Sequence, residues 1–149
     1  MQAGVFSRWL CLGTLLAICG SLSGCGKGKE PWEKVHKVRG VVNFDGKPAG
    51  GALITFIPQD QKVPNSVRPS AIANWDGTFD IGTYGTGDGA PAGTYKVVVV
   101  RFPVIGSPQS PANGPNDLPP KYSKPDTTDL TAQVKDAETE LPPLELKAE

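Results

Sequence analysis

Short runs of β-branched and aromatic residues, separated by turn residues, recur along the chain from residue 34 onward, and no helical period of useful length appears before residue 130. The first run, 34–44, places Val38, Val42 and Phe44 on one face of an extended chain and Val35 and Val41 on the other, and Gly40 in its middle predicts a bulge or bend. Asp45-Gly46-Lys47-Pro48 reads as a turn, with Asp-Gly supplying the positive φ and proline ending the ladder. A second strand is predicted over 52–58, and the polar stretch 59–69, with Pro64 and Pro69, reads as loop. Runs 70–74 and 78–83 flank Trp75-Asp76-Gly77, a hairpin signal. Residues 84–93 are glycine-rich loop, and 94–101 is apolar on both faces, which belongs in the middle of a sheet rather than at its rim. Residues 102–125 carry seven prolines in 24 positions and predict a long loop of polyproline character, packed over a sheet edge or mobile, with recognition by a partner as the alternative. Runs 130–134 and 141–146, with a turn at 135–140, close the domain, and Pro142-Pro143 puts the last strand at an edge. A helix over 129–139 is the local alternative. Seven strands at short spacing make a β-sandwich pattern.

The start of the chain has a different character. Arg8 is the only charge before Lys27, and residues 9–19 form an uncharged run of eleven. A membrane span needs about 20 apolar residues, whereas a secretory hydrophobic region needs roughly 7–15. Leu22-Ser23-Gly24-Cys25 follows and resembles the bacterial lipobox, in which an aliphatic and two small residues precede a cysteine. The resemblance implies that Leu22, Ser23 and Gly24 are read by a signal peptidase. It further implies that Cys25 receives a diacylglyceryl thioether and begins the mature chain, with a third acyl group on its amine. Stable anchoring takes more than one acyl chain, and such a cysteine meets that condition. No aspartate follows Cys25, which under the best-known sorting rule favours the outer membrane. The expected organisation is therefore a signal peptide over 1–24, a lipidated Cys25 and polar tether over 25–34, and a β-sandwich over 35–149 that includes the proline-rich loop 102–125.

Composition narrows the function classes. Fifteen basic and fifteen acidic residues give a formal net charge of zero, so there is no electrostatic case for a nucleic-acid partner. Eighteen glycines and fifteen prolines argue against long helices. Cys11 and Cys19 lie in the expected signal segment, which leaves Cys25 alone and the mature domain without a possible internal disulfide. Such a domain folds on core packing, for which about 125 residues suffice.

The order of motifs in the mature chain resembles a known family. Val38-x-Gly40-x-Val42, Phe44-Asp45-Gly46-Lys47-Pro48, Ala52-x-Ile54-x-Phe56-x-Pro58, Asp76-Gly77-Thr78-Phe79 and Pro91-Ala92-Gly93-Thr94-Tyr95-x-Val97 resemble a carboxypeptidase-regulatory-like, transthyretin-like domain. Leu118-Pro119-Pro120-Lys121-Tyr122 with Thr127-Thr128-Asp129-Leu130 resembles the tail of small bacterial lipoproteins that carry it. The match covers roughly 35–147. It implies an all-β, seven-stranded antiparallel Greek-key β-sandwich of the transthyretin/prealbumin type, serving as an accessory, non-catalytic module. Phe56, Phe79 and Tyr95 are expected between its sheets.

Candidate chemistry is sparse. His36 is the one imidazole, no Gly-x-Ser-x-Gly elbow is present, and Cys25 is assigned to lipid, so His36 is expected as an exposed strand residue rather than a catalytic one. Transthyretin-like hydroxyisourate hydrolases carry several active-site histidines and a C-terminal Tyr-Arg-Gly-Ser; this chain has one histidine and ends Glu145-Leu146-Lys147-Ala148-Glu149, which does not fit. Asp45, Asp76 and Asp88 each precede glycine as turn residues rather than as a calcium site, and no metal or other cofactor is expected. Trp75 and Trp32 are expected to cap the sandwich end, with a stacking platform at Trp75 as the ligand-binding alternative. The expected role is a binding or structural module at the cell envelope, facing the periplasm or exterior. The membrane is held through Cys25, and an envelope protein or glycan is the partner. Rival readings are a carbohydrate- or peptide-binding receptor using Trp75 and the end loops, and a cryptic hydrolase using His36.

Overall fold

The computed structural model describes residue 32 and residues 34–148. The expected signal segment, the Leu22-Ser23-Gly24-Cys25 motif and most of the tether lie outside the described residues. Among the described residues the protein is all-β, with several mostly antiparallel sheets and no α-helix. In chain order the strands are β1 (Val35–His36), β2 (Val38–Phe44), β3 (Lys47–Pro48), β4 (Leu53–Pro58), β5 (Ser70–Ile72), β6 (Thr78–Asp80), β7 (Ala90–Pro91), β8 (Gly93–Val100), β9 (Val104–Ser107), β10 (Ser110–Asn113), β11 (Thr131–Val134), β12 (Thr139–Glu140) and β13 (Leu144–Leu146), with a 3-10 helix over Pro120–Ser123.

Two sheets carry the core. The first is four-stranded and wholly antiparallel, in the order β11-β8-β4-β5. The second is built on β2, with β6 and β3 antiparallel on one side and β12 and β13 parallel on the other. Backbone carbonyls divide accordingly: those of Val38 and Val42 accept from Ile81 and Ala49, while those of Lys37 and Arg39 accept from Thr139 and Leu141. Period-2 alternation turns Ile54, Phe56, Tyr95, Val97 and Val99 of the first sheet inward, and Val38, Val42, Phe79, Leu144 and Leu146 of the second. All are buried in one apolar cluster, so the two sheets share a single core. The rings of Phe56 and Tyr95 lie 5.4 Å apart, a spacing that adds to area burial. Tyr95 donates its hydroxyl to the Pro91 carbonyl at 2.7 Å, and burial pushes its phenol well above the ordinary range. Every buried side-chain nitrogen and oxygen among the described residues has a partner.

Several expectations change. Gly40 is neither bulge nor bend: it pairs in register with Phe79 inside a regular ladder, and a Cβ there would meet the Phe79 ring at 2.5 Å. It is glycine because the ring needs the space. The segment 70–83 forms its turn, with Asn74 donating to the Thr78 carbonyl, but no hairpin ladder, since β5 joins the first sheet and β6 the second. The last strand does sit at an edge, split by Pro142-Pro143, but it pairs parallel to β2 rather than antiparallel. Residues 129–139 form β11 and a turn, not a helix.

The proline-rich segment 102–125 is not one long loop. It holds the antiparallel hairpin β9–β10, all of it exposed, and the 3-10 helix. Gly114 donates to the Pro103 carbonyl, which makes 103–114, 105–112 and 107–110 the bonded pairs. Pro111 opposite Gly106 then lies between bonded pairs, where the ladder asks for no donor. Further on, Leu118 and Tyr122 enter the core, and Tyr122 accepts the Lys147 N–H on its hydroxyl at 3.0 Å. This part packs against β8 and is tied through the Tyr122 hydroxyl to the residue after β13.

Filling the space beside Phe79 should be costly. Gly40→Val should lower unfolding free energy by about 1–3 kcal/mol through overpacking, read as a lower urea midpoint with an unchanged slope. An unshifted midpoint would mean that the ring does not occupy that space.

Candidate functional site

The turn between β5 and β6 is held by its own side chains. Asn74 N–H donates to the Thr78 carbonyl and Gly77 N–H to the Asn74 carbonyl, at 2.8 and 2.9 Å. Asp76 Oδ1 accepts from the Thr78 amide at 3.0 Å and from its hydroxyl at 2.6 Å, while Asn74 Nδ2 donates to Thr78 Oγ1 at 2.9 Å. Gly77, at φ +82°, supplies the left-handed residue, and Gly50 lets a neighbouring loop pass under the Trp75 backbone, where a Cβ would sit 2.8 Å from Trp75 Cα. The result is a fixed backbone that presents Trp75 to solvent at 92% exposure. Trp75 therefore does not cap the sandwich end: its side chain points outward from a turn whose polar groups face each other. The Thr78 hydrogen bonds hold the Asp76 carboxyl below its ordinary value.

Trp75 has apolar company. Ile72 is 70% exposed on β5, and Leu53 pairs in register with Ile72 on one side and Val100 on the other. Phe102 and Val104 continue the exposed apolar surface along the chain beyond β8. A groove of about 530 Å³ runs along β5, lined by Ile72, Asp80, Thr83 and Tyr84. Sequence reasoning did not single out Ile72, Leu53 or Tyr84. The signal that could have found Leu53 and Val100 is the apolarity of both faces of their strands.

The other candidates are engaged structurally. His36 is not an exposed strand residue: its side chain is 11% exposed, and Nε2 lies 2.8 Å from Asp136 Oδ1, which also takes Lys34 Nζ at 2.9 Å. Lys34, with His36 contributing less, holds the Asp136 carboxyl below its ordinary value. This cluster ties the chain's entry into the domain to the β11–β12 turn. Asp88 spends both oxygens on the backbone amides of Thr83, Tyr84 and Gly85, closing the glycine-rich loop on itself. Asp45 adopts φ +48° and accepts from the Ala148 amide. The three Asp-Gly aspartates are thus turn residues at separate places. Among the described residues no group of three or more His, Cys, Asp or Glu side chains is placed to hold a metal ion. Trp32 is half-buried and its carbonyl accepts the Tyr84 hydroxyl at 2.9 Å. Cys25, Leu22, Ser23 and Gly24 lie outside the described residues.

No family model and no curated protein matches the chain. Among solved structures it is similar to a 9R-lipoxygenase from Cyanothece, with a TM-score of 0.41 and 15% identity over 76% of this chain and 17% of that one. The chain thus spans about a sixth of that enzyme's length, and a likeness of this degree says nothing about fold or activity.

Asp76 gives the Trp75 turn a pH limit. Its carboxyl pKa is lowered in the folded state, so its contribution is complete above the ordinary value of 3.8 and is lost as pH falls through the lowered value. The Thr78 amide should titrate in NMR spectra with a midpoint below 3.8, and Asp76→Asn should abolish that titration; a midpoint at or above 3.8 would show that the carboxylate is not held by Thr78.

Proposed function

We propose that the protein is an exported lipoprotein, anchored through acyl chains on Cys25, whose single domain is a non-catalytic binding or structural module at the cell envelope. The observation that carries the reading is the juxtaposition of an uncharged run of eleven residues with Leu22-Ser23-Gly24-Cys25. The domain is read as a seven-stranded Greek-key sandwich of the transthyretin type. What supports this is the two-sheet core, together with Phe56, Phe79 and Tyr95 in the motifs that carry the resemblance and buried in that core. The non-catalytic reading is supported by the engagement of His36 with Asp136 and of Asp88 with three backbone amides, which gives the groups most capable of proton transfer or ligation a structural use.

One observation favours a second reading. A tryptophan 92% exposed on a self-bonded turn suits a receptor that stacks a sugar ring or holds an apolar peptide side chain. A glycan array probed with the purified protein separates the two: binding lost in Trp75→Ala supports the receptor, and an empty array removes the glycan form of it.

Anchoring has its own test. Cys25→Ser should leave the precursor uncleaved or release the protein into the aqueous phase of a detergent partition, whereas the unaltered protein should enter the detergent phase. Equal partitioning of the two would overturn the lipid assignment.

A further inference from the structure

The two arms of the Trp75 turn are joined at both ends and parted in the middle. On the β5 arm, Pro69 and Ala73 bond across to β4, so the register turns the N–H and C=O of Ser70 and Ile72 away from it. On the β6 arm, Gly77 and Ile81 bond to β2, which turns those of Thr78 and Asp80 away in the same manner. Ser70 and Gly82 then bond to each other twice, at 2.9 Å each, and Asn74 donates to the Thr78 carbonyl at 2.8 Å. Ile72 and Asp80 stand between these ties as the next pair of an antiparallel ladder. No backbone hydrogen bond joins them, because β5 follows the first sheet and β6 the second. The groove of about 530 Å³ opens at this parting, with Ile72 on one arm and Asp80 on the other.

The groove continues onto the glycine-rich loop, which hydrogen bonds hold in place. Asp88 takes the amides of Thr83, Tyr84 and Gly85, the Thr83 hydroxyl donates to the Gly89 carbonyl at 2.6 Å, and the Tyr84 hydroxyl donates to the Trp32 carbonyl at 2.9 Å. Tyr84 is thus fixed at both its backbone and its hydroxyl, yet it is 59% exposed and lies outside the core cluster. An aromatic ring whose position is preset without serving the core is suited to meeting a ligand at little cost in ordering.

The chemistry of the lining selects the ligand class. The backbones of Ile72 and Asp80 offer donors and acceptors, Ser70 and Thr86 add hydroxyls, and Tyr84 and Ile72 add apolar surface. A wholly apolar ligand would leave those backbone groups without partners. Asp80 is the one charged side chain of the lining, and its carboxylate already accepts from Arg39 at 3.0 Å, so no unpaired charge is present to hold an ion. An extended peptide would find one residue of open edge, since the groups on either side, at Ser70 and Asn74, are taken by Gly82 and Thr78. A sugar ring meets the remaining demands, with hydroxyls that both donate and accept and a C–H face that lies on an aromatic ring.

We propose that this groove is a binding site for a neutral saccharide, with the Tyr84 ring against the face of the sugar and the Ile72 and Asp80 backbone groups at its hydroxyls. The ligand class rests on the receptor reading given above; the site does not, since the sugar is placed in the groove rather than on Trp75.

The test is a glycan array probed with the full chain and its variants, followed by calorimetric titration of each glycan bound. Neutral glycans should bind. Affinity should fall about tenfold or more in Tyr84→Ala and persist in Tyr84→Phe, which keeps the ring. Gly85→Leu obstructs the groove independently: a Cβ there meets nothing nearer than Asp88 Oδ2, at 3.7 Å, so the variant should keep the circular dichroism spectrum of the unaltered chain and lose the same glycans. Binding that survives both Tyr84→Ala and Gly85→Leu would overturn the groove, and its loss in Trp75→Ala alone would at the same time uphold the receptor at the tryptophan. Binding confined to charged glycans would overturn the neutral class and with it the proposal. An array on which nothing binds would overturn the groove together with the glycan form of the receptor, and would leave the structural-module reading standing.

Discussion

The contact between the two sheets, with Tyr95, Phe56 and Phe79 at its centre, is what the rest of the molecule depends on. Residues 26–149 contain no cysteine, so no covalent staple shares the load. The interior must therefore be both apolar and closely fitted, and the choices made around it follow. Gly40 gives up its side chain so that the far end of the Phe79 ring can lie against β2. The hydroxyls on the large core rings are both engaged, that of Tyr95 by the Pro91 carbonyl and that of Tyr122 by the Lys147 N–H, and the buried Thr128 hydroxyl finds the carbonyl of Val97. A polar group left unpaired there would cost about 1–3 kcal/mol, a sizeable part of a small domain's net stability.

The layer is closed at its sides by segments that are not themselves long strands. Leu118 and Tyr122 cover the flank between β8 and β13, and the Ser70–Gly82 bridge links the first sheet to the chain just beyond β6 of the second. These closures explain how a chain so rich in glycine and proline still excludes water from its interior. Pro111 sits where the ladder asks for no donor, and the positive-φ glycines Gly46 and Gly77 sit at turns.

Period-2 alternation made β2, β4 and β8 legible from sequence, because half of each strand faces a dry interior and the signal is strong. Asp-Gly pairs made the turns legible. What the alternation does not carry is the destination of each strand. The turn at Trp75 has the chemistry of a hairpin, yet its arms enter different sheets, a choice settled by partners that lie well outside the turn in sequence, Leu53 for Ile72 and Gly40 for Phe79. The parallel seat of the last strand on β2 spans about 100 residues and leaves no local trace. Prolines concealed β9 and β10, since a count of prolines does not say whether each falls at a bonded or a non-bonded position. At the candidate site, Trp75 was legible as a turn residue but its exposure was not. That depends on Asp76, Thr78 and Asn74 satisfying one another and leaving the indole nothing to cover. His36 was misjudged for the same kind of reason, its partner Asp136 lying 100 residues downstream.

The break at Pro142-Pro143 has a consequence for how the protein behaves when crowded. An uninterrupted outer strand beside β2 would offer a straight row of backbone donors and acceptors, a template onto which further chains could add without limit. Two successive residues lacking N–H groups divide that row into the short pieces β12 and β13. Along this edge, therefore, the molecule offers no continuous template for strand addition.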